Sequence, residues 1–234
     1  MDPAKMAARV TVPRADAAST PLPSDPPAPH LSHVPTQRPP VARQPIWTTA
    51  GALVGHEYLY RSRIGRPAGV DRWRAERQDV ASASVLRSVF EESAADADGP
   101  LIFVNVTRSF LVRDRPLPAH LGRLVLEVVE SVPGDPGVVL GLRRLRARGY
   151  RVAIDDFTAS EAQMPMLPHA DFVKVDCRDL VKPDGLRLVE IGRRHGATLI
   201  AERVETTELV EMCVRVGFDM LQGDALGPAV TMPT

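Results

Sequence analysis

From residue 101 to residue 222 the chain repeats one pattern: a short apolar run ending in a polar side chain, followed in most cases by a segment of helical period. The runs are "LIFVNV", "RLVLEVVE", "YRVAIDD", "FVKVD", "ATLIAE" and the short "FDMLQG". Between them, "GVVLGLRRLRARG", "DGLRLVEIGRRHG" and "TTELVEMCVRVG" carry apolar residues at helix spacing, and Thr206 or Thr207 can cap the last of these. Strands that are apolar throughout are buried on both faces, as in parallel sheets covered by helices. Upstream, "WRAERQDVASASVLRSVFEES" predicts a further helix, and "ARQPIW" and "LVGHEYLYR" predict a strand hairpin around "TTAG".

A closed α/β barrel and an open doubly wound sheet both satisfy this alternation. The polar residues break the tie. The strands end at or near Glu57, Asn105, Glu127, Asp155, Lys174, Glu202 and Gln222. In a closed parallel barrel all such ends meet on one face, where active sites form, whereas an open sheet spreads them apart. The expectation is therefore a TIM-like (β/α)8 barrel. A G-x-G-x-x-G after the first strand and a G-x-x-x-x-G-K-[ST] are both missing from the sequence, which argues against a dinucleotide or nucleoside-triphosphate site.

Such a barrel collects Glu57, Glu127, Asp155, Asp156 and Glu202 beside the neutral oxygen ligand Asn105. Left alone these carboxylates repel one another, and hard divalent ions such as Mg²⁺ or Mn²⁺ resolve the repulsion through oxygen coordination. Two ions can activate a water, hold a phosphoryl group and stabilise the leaving oxygen, which is phosphodiester hydrolysis. Lys174 then neutralises developing charge or orients the water, and Gln222 anchors a second water. Taken singly, any of these residues reads equally well as a salt-bridge partner or a cap. Their recurrence at strand ends is what points to a site. Arg61 suits a bidentate phosphate contact or a plain ion pair; Glu130 either braces a neighbouring loop or faces solvent.

Residues 1–40 hold 10 of the 22 prolines and no Phe, Trp or Tyr, which predicts a disordered tail ahead of one domain over 41–234. No run approaches the ~20 apolar residues of a membrane span, and "MDPAKMAARV" lacks the apolar core of a secretory signal, so a cytoplasmic protein is expected. Cys177 and Cys213 form no C-x-x-C pattern and read as two reduced thiols. With 29 acidic and 29 basic side chains, the charge balance predicts neither DNA nor RNA as a partner. The one dense basic run, "LRRLRARGYR", reads as the solvated face of an amphipathic helix. The six histidines show no ligand spacing.

In register along residues 41 to 230 the motifs resemble those of the EAL domain family of cyclic di-GMP phosphodiesterases. "GHEYLYR" stands where the family has E-A-L-x-R, "FVNVT" resembles its V-N-x-S, "LEVVE" its E-x-x-E, and "IDDF" its paired aspartates. "VKVD", "AERVE" and "LQGDALGP" resemble its K-x-D, A-E-G-V-E and Q-G-x-x-x-x-x-P. The resemblance is greatest to a divergent branch in which an EAL-like domain precedes an HDOD domain, through "ARQPIW", "FVNVTRSFL", "RARGYRVAIDDF", "AERVET" and "VGFDMLQG". Since the chain stops at Thr234, that second half is expected to be absent from it.

The resemblance implies a barrel with its first strand antiparallel and hydrolysis of cyclic di-GMP to pGpG with Mg²⁺ or Mn²⁺. It implies Glu57, Asn105, Glu127, Asp155 and Asp156 as metal ligands, and Lys174, Glu202 and Gln222 as the residues completing the metal and water network. Arg61 would contact phosphate and Glu130 would support the loop beside the aspartates. The sequence also departs from the pattern. The family's G-T-G-x-x-S-S-L after its paired aspartates is replaced by "TASEAQM" in a shorter loop, Tyr58 replaces an alanine, and Arg203 replaces a glycine. The expectation is a degenerate EAL-like domain that binds cyclic di-GMP or a protein partner with weak or no hydrolysis. An active phosphodiesterase and a protein-interaction module without nucleotide are the alternatives. The family's dimer leans on the altered loop, which leaves the oligomer open.

Overall fold

A computed structural model of the protein describes residues 40–92, 99–113, 115–119 and 122–232. The expected disordered tail lies outside these residues up to residue 39. The hairpin expected at the start of the domain is formed by β1, Val41–Thr48, and β2, Leu53–Tyr60, which pair antiparallel. Then come β3 (Leu101–Val106), β4 (Leu124–Val128), β5 (Arg151–Ile154), β6 (Phe172–Asp176), β7 (Thr198–Glu202) and β8 (Met220–Leu221), each parallel to the strand before it from β2 onward. β1 pairs antiparallel with both β2 and β8 and so closes the barrel. A two-residue β9, Val230–Thr231, which the sequence pattern does not announce, extends the sheet along the other end of β1.

Five α-helices lie among the described residues: α1 (Ala75–Glu92), α2 (Arg108–Val112), α3 (Pro136–Ala147), α4 (Gly185–Arg194) and α5 (Thr207–Val216). Asp135 caps α3 by accepting from the N–H groups of Gly137 and Val138, and Pro136 occupies the first helical position. Thr206, one of the two candidate caps, starts α5 by accepting from Leu209 N. The short α2, unforeseen from the sequence, packs on α3 where Gly141 meets the Leu111 carbonyl; a Cβ at Gly141 would stand 1.9 Å from that oxygen. No helix among the described residues is long and apolar enough to cross a membrane.

The period of 2 along a strand explains how the barrel both fills itself and presents polar groups. Ile46, Phe103, Val125, Ala153, Phe172 and Ile200 form a separate buried cluster, set apart from the larger one between strands and helices. Two residues beyond Phe103, Val125, Ala153, Phe172 and Ile200, on the same face of each strand or just past its end, come Asn105, Glu127, Asp155, Lys174 and Glu202. The apolar layer is thus the floor on which the polar layer stands. Intervening residues such as Val104, Leu126, Val152, Val173 and Leu199 face outward into the larger cluster, which is why the runs read as continuously apolar.

Candidate functional site

The polar layer converges on one side chain. Lys174, on β6, is fully buried, and its Nζ lies 2.6 Å from Glu202 Oε1, 2.8 Å from Glu127 Oε1, and 3.2 Å from both Glu57 Oε2 and Asp155 Oδ1. Asn105 Nδ2 donates to Glu57 Oε1 at 3.0 Å and Gln222 Nε2 to Glu57 Oε2 at 2.6 Å. Seven strand-end residues singled out from the sequence are therefore in one network. Asp156 lines the same cavity, of about 350 Å³, together with Glu57, Asp155, Glu202 and Gln222.

The remaining two candidates sit at its edge. Arg61 follows β2, is partly buried and feels the field of Glu57. Glu130 is exposed, and with Arg61 it borders an adjoining cavity of about 310 Å³ walled by Tyr58, Tyr60, Val85 and Val104. Asp155 lines both cavities.

One buried ammonium among four carboxylates sets the protonation of the site. Burial alone would lower the Lys174 pKa, but Asp155, Glu127, Glu202 and Glu57 together hold it well above the usual lysine range. Burial tends to raise Glu57, yet Lys174 and the hydrogen bonds from Gln222, Lys174 and Asn105 bring it below the ordinary carboxylate value. The other carboxylates are pushed the opposite way. Burial and the neighbouring Glu57 raise Glu127 well above its ordinary value, with Lys174 offsetting only part. Burial raises Asp155, and it pushes Glu202 up to about 8 against the pull of Lys174. At neutral pH the ring therefore retains protons.

Does the donor set fit divalent cations? Asn105 Oδ1 and Glu127 Oε2 are buried oxygens without a hydrogen-bond partner, a costly arrangement that oxygen-seeking ions would relieve. The donors are carboxylates and amide carbonyls, the oxygens that Mg²⁺ and Mn²⁺ take. Among the described residues no three carboxylate, thiol or imidazole groups already form a cation cage. The carboxylates turn instead toward Lys174. The donor chemistry fits, and holding an ion would mean releasing protons and reorienting carboxylate oxygens.

The sequence reading missed three contributors. Gln44, on the antiparallel β1, faces Glu57 in register and accepts from Gln222 Nε2 at 3.2 Å. Its role follows from a strand pairing that is not local in sequence. Gln163 is buried beside Asp155 and Asp156, in the loop where "TASEAQM" replaces the family's glycine-bearing segment. Asp176, at the end of β6, is held by Arg178 and by Arg203, the latter at 3.2 Å. Arg203 has φ 54, a backbone conformation that favours glycine. Cys177 and Cys213 are both free and buried, and the Cys177 thiol donates to the Arg203 carbonyl at 3.3 Å.

Residues 70–229 match the family described as the EAL domain. That stretch takes in Asn105 through Gln222 but begins after Glu57 and Arg61, which the barrel brings to the same face. The chain is 27% identical over 190 residues to the uncharacterized protein YuxH of Bacillus subtilis (strain 168), covering 78% of this chain and 45% of that one. It is 28% identical over 192 residues to the cyclic di-GMP phosphodiesterase CdgJ of Vibrio cholerae, covering 78% and 42%. The chain thus matches less than half the length of either relative. In fold it is similar to the PaMucR phosphodiesterase in complex with c-di-GMP, with a TM-score of 0.70 and 24% identity over 83% of this chain and 98% of that one. It is also similar to the Klebsiella pneumoniae BlrP1 complex with manganese and cyclic di-GMP, with a TM-score of 0.63 and 24% identity over 85% and 57%. At these identities the structural likeness is one of fold.

Proposed function

The chain belongs to the EAL domain family, and on that premise we propose that it binds cyclic di-GMP over the carboxylate ring through Mg²⁺ or Mn²⁺, with weak or no hydrolysis. The observation that carries this reading is the convergence of Glu57, Glu127, Asp155 and Glu202 on the buried Lys174, with two buried oxygens of Asn105 and Glu127 left unpartnered. The folds of PaMucR and BlrP1 have been seen with cyclic di-GMP, and that of BlrP1 with manganese as well.

Glu57, Asn105, Glu127, Asp155 and Asp156 are the residues that would hold the ions. Bound there, divalent ions supply charge neutralisation for the phosphodiester and a water of lowered pKa. Lys174 stays protonated and acts as a fixed donor, suited to orienting that water or to neutralising charge on a phosphoryl oxygen. Gln222 fixes Glu57 through a 2.6 Å hydrogen bond and is itself held by Gln44. Glu202 completes the ring from β7. Arg61, which lines the adjoining cavity, has the planar donor set for a phosphate. Glu130 is assigned to supporting the neighbouring loop. Weak turnover is favoured by Arg203, which lines the cavity with Glu202, and by Tyr58, which walls the adjoining cavity. Small misplacements of reacting groups are expensive in rate, about 100-fold per 1 Å.

Full phosphodiesterase activity yielding pGpG is the second reading. The intact ligand set with Lys174 at its centre favours it. We also assign the chain to the branch in which the EAL-like domain is the first half of an EAL-HDOD protein, on the strength of "FVNVTRSFL" and "RARGYRVAIDDF".

The deciding experiment incubates the protein with cyclic di-GMP and Mn²⁺ and follows bound and hydrolysed nucleotide in the same samples, with Glu57→Gln alongside. Manganese-dependent binding that Glu57→Gln loses, with little pGpG, is the expected result. Rapid pGpG formation that the variant abolishes would replace the first reading with the second. Absence of manganese-dependent binding would overturn both.

A further inference from the structure

We propose that Gln163 positions the Asp155–Asp156 pair, taking over the task of fixing these aspartates in a loop built without glycine; the proposal rests on reading that pair as ion-holding. Gln163 is 3% exposed and uses both ends of its amide. Its Oε1 accepts from Thr158 N at 2.9 Å, Thr158 Oγ1 at 3.2 Å and Ser160 Oγ at 3.3 Å. Its Nε2 donates to the carbonyl oxygens of Asp156 at 3.0 Å and Asp155 at 3.4 Å. The oxygen end therefore closes the loop, and the nitrogen end grips the backbone of the two aspartates.

That grip matters because of where the chain turns. β5 ends at Ile154, so Asp155 and Asp156 stand beyond the ladder that orients the residues before them. Asp156 has φ 43 and Ala159 has φ 55, left-handed conformations that cost a non-glycine residue about 1–2 kcal/mol each. Such a backbone persists only where its surroundings hold it. Asp155 N donates to Val128 O at 3.1 Å and Phe157 N to Lys174 O at 2.9 Å, which pins the N–H groups on either side of the turn. Gln163 supplies the complementary hold on the carbonyls. Turning either peptide plane would redirect the carboxylates of Asp155, 3.2 Å from Lys174, and of Asp156 in the cavity wall.

The two ends of the amide make the proposal testable. Gln163→Glu keeps an oxygen acceptor for Thr158 and Ser160 but replaces the donor facing the Asp155 and Asp156 carbonyls with a second acceptor. A role limited to closing the loop predicts at most a lower melting temperature and unchanged affinity. A positioning role predicts Mn²⁺ affinity, read by electron paramagnetic resonance of free Mn²⁺, weakened about 10–100-fold, the usual effect of losing a residue that orients a ligand. Unchanged affinity in a folded Gln163→Glu protein, with Mn²⁺ bound normally by the unmodified protein, overturns this proposal and leaves the metal site standing. Absence of Mn²⁺ binding in the unmodified protein removes the metal site and the proposal with it. If Gln163→Glu does not fold, Thr158→Val with Ser160→Ala takes its place, since it removes two of the three donors to the oxygen end, leaving only the residue 158 N–H, while sparing the amide donor. Weakening of about threefold or more then supports the proposal, and unchanged affinity overturns it.

Discussion

Lys174 Nζ stands 2.6 Å from Glu202 Oε1 in a pocket where the lysine has no exposed surface. Its charge stabilises the ionised Glu57 and its ammonium also contacts the carboxyl groups of Glu127, Asp155 and Glu202, and removing one partner of a buried ion pair costs about 3–5 kcal/mol. Lys174→Met is therefore expected to lower the melting temperature of the metal-free protein by on the order of 10 °C. Mn²⁺ should recover part of that loss by supplying positive charge to the same oxygens. Thermal melts with and without Mn²⁺ check this, and a melting temperature equal to that of the unmodified protein would sink it.

Metal affinity should rise with pH. Glu202 is pushed up to about 8 from an ordinary value of 4.5, so the folded site holds a proton that an ion must displace. The sign for stability is opposite. A carboxyl raised in the folded state stabilises the metal-free protein below its unfolded value of 4.5 and loses that contribution as the pH climbs through about 8. For one displaced proton, Mn²⁺ binds up to about tenfold more tightly per pH unit below that value and levels off above it. Titrations by calorimetry in buffers of different ionisation enthalpy would read both affinity and proton release; flat affinity across the range would contradict the protonation scheme.

The barrel and most of its polar ring were legible because both follow from local patterns. A strand alternates with period 2, so Phe172 and Lys174 had to share a face, and so did Ile200 and Glu202. Closure of the sheet then brought those ends together. Gln44 was hidden because β1 runs antiparallel and meets Glu57 only through pairing. Gln163 was hidden for a different reason: its hydrogen bonds to residues three to eight positions earlier depend on left-handed turns at Asp156 and Ala159, where neither residue is glycine. The contact between Arg203 and Asp176 joins the ends of adjacent strands and likewise has no signature in either segment.

Gly141→Ala is expected to destabilise the fold without touching the ring. Its Cβ would lie 1.9 Å from the Leu111 carbonyl oxygen, a backbone atom that cannot swing aside as a side chain does. Separating α2 from α3 to make room costs about 1–3 kcal/mol, the usual range for overpacking. Urea denaturation should show a lower midpoint with Mn²⁺ affinity retained in the folded protein. An unchanged midpoint would mean that α2 and α3 do not approach this closely.

Ala159→Gly and Arg203→Gly remove the same kind of backbone strain, yet their effects should differ. Both residues are left-handed, at φ 55 and φ 54, where glycine is at ease. At Ala159 the glycine gives up only a methyl group, so relief of the strain, reduced by the greater freedom of glycine in the unfolded chain, should stabilise the protein by about 0.5–1 kcal/mol. At Arg203 the change also removes the ion pair with Asp176, which involves an arginine side chain 54% exposed. A pair so open to solvent contributes about 0–1 kcal/mol, enough to cancel most of the gain. Denaturation midpoints should therefore rise for Ala159→Gly and stay near the original value for Arg203→Gly. Equal gains at the two positions would show that the Arg203–Asp176 pair adds nothing to stability, and a loss at Ala159 would contradict the left-handed turn itself.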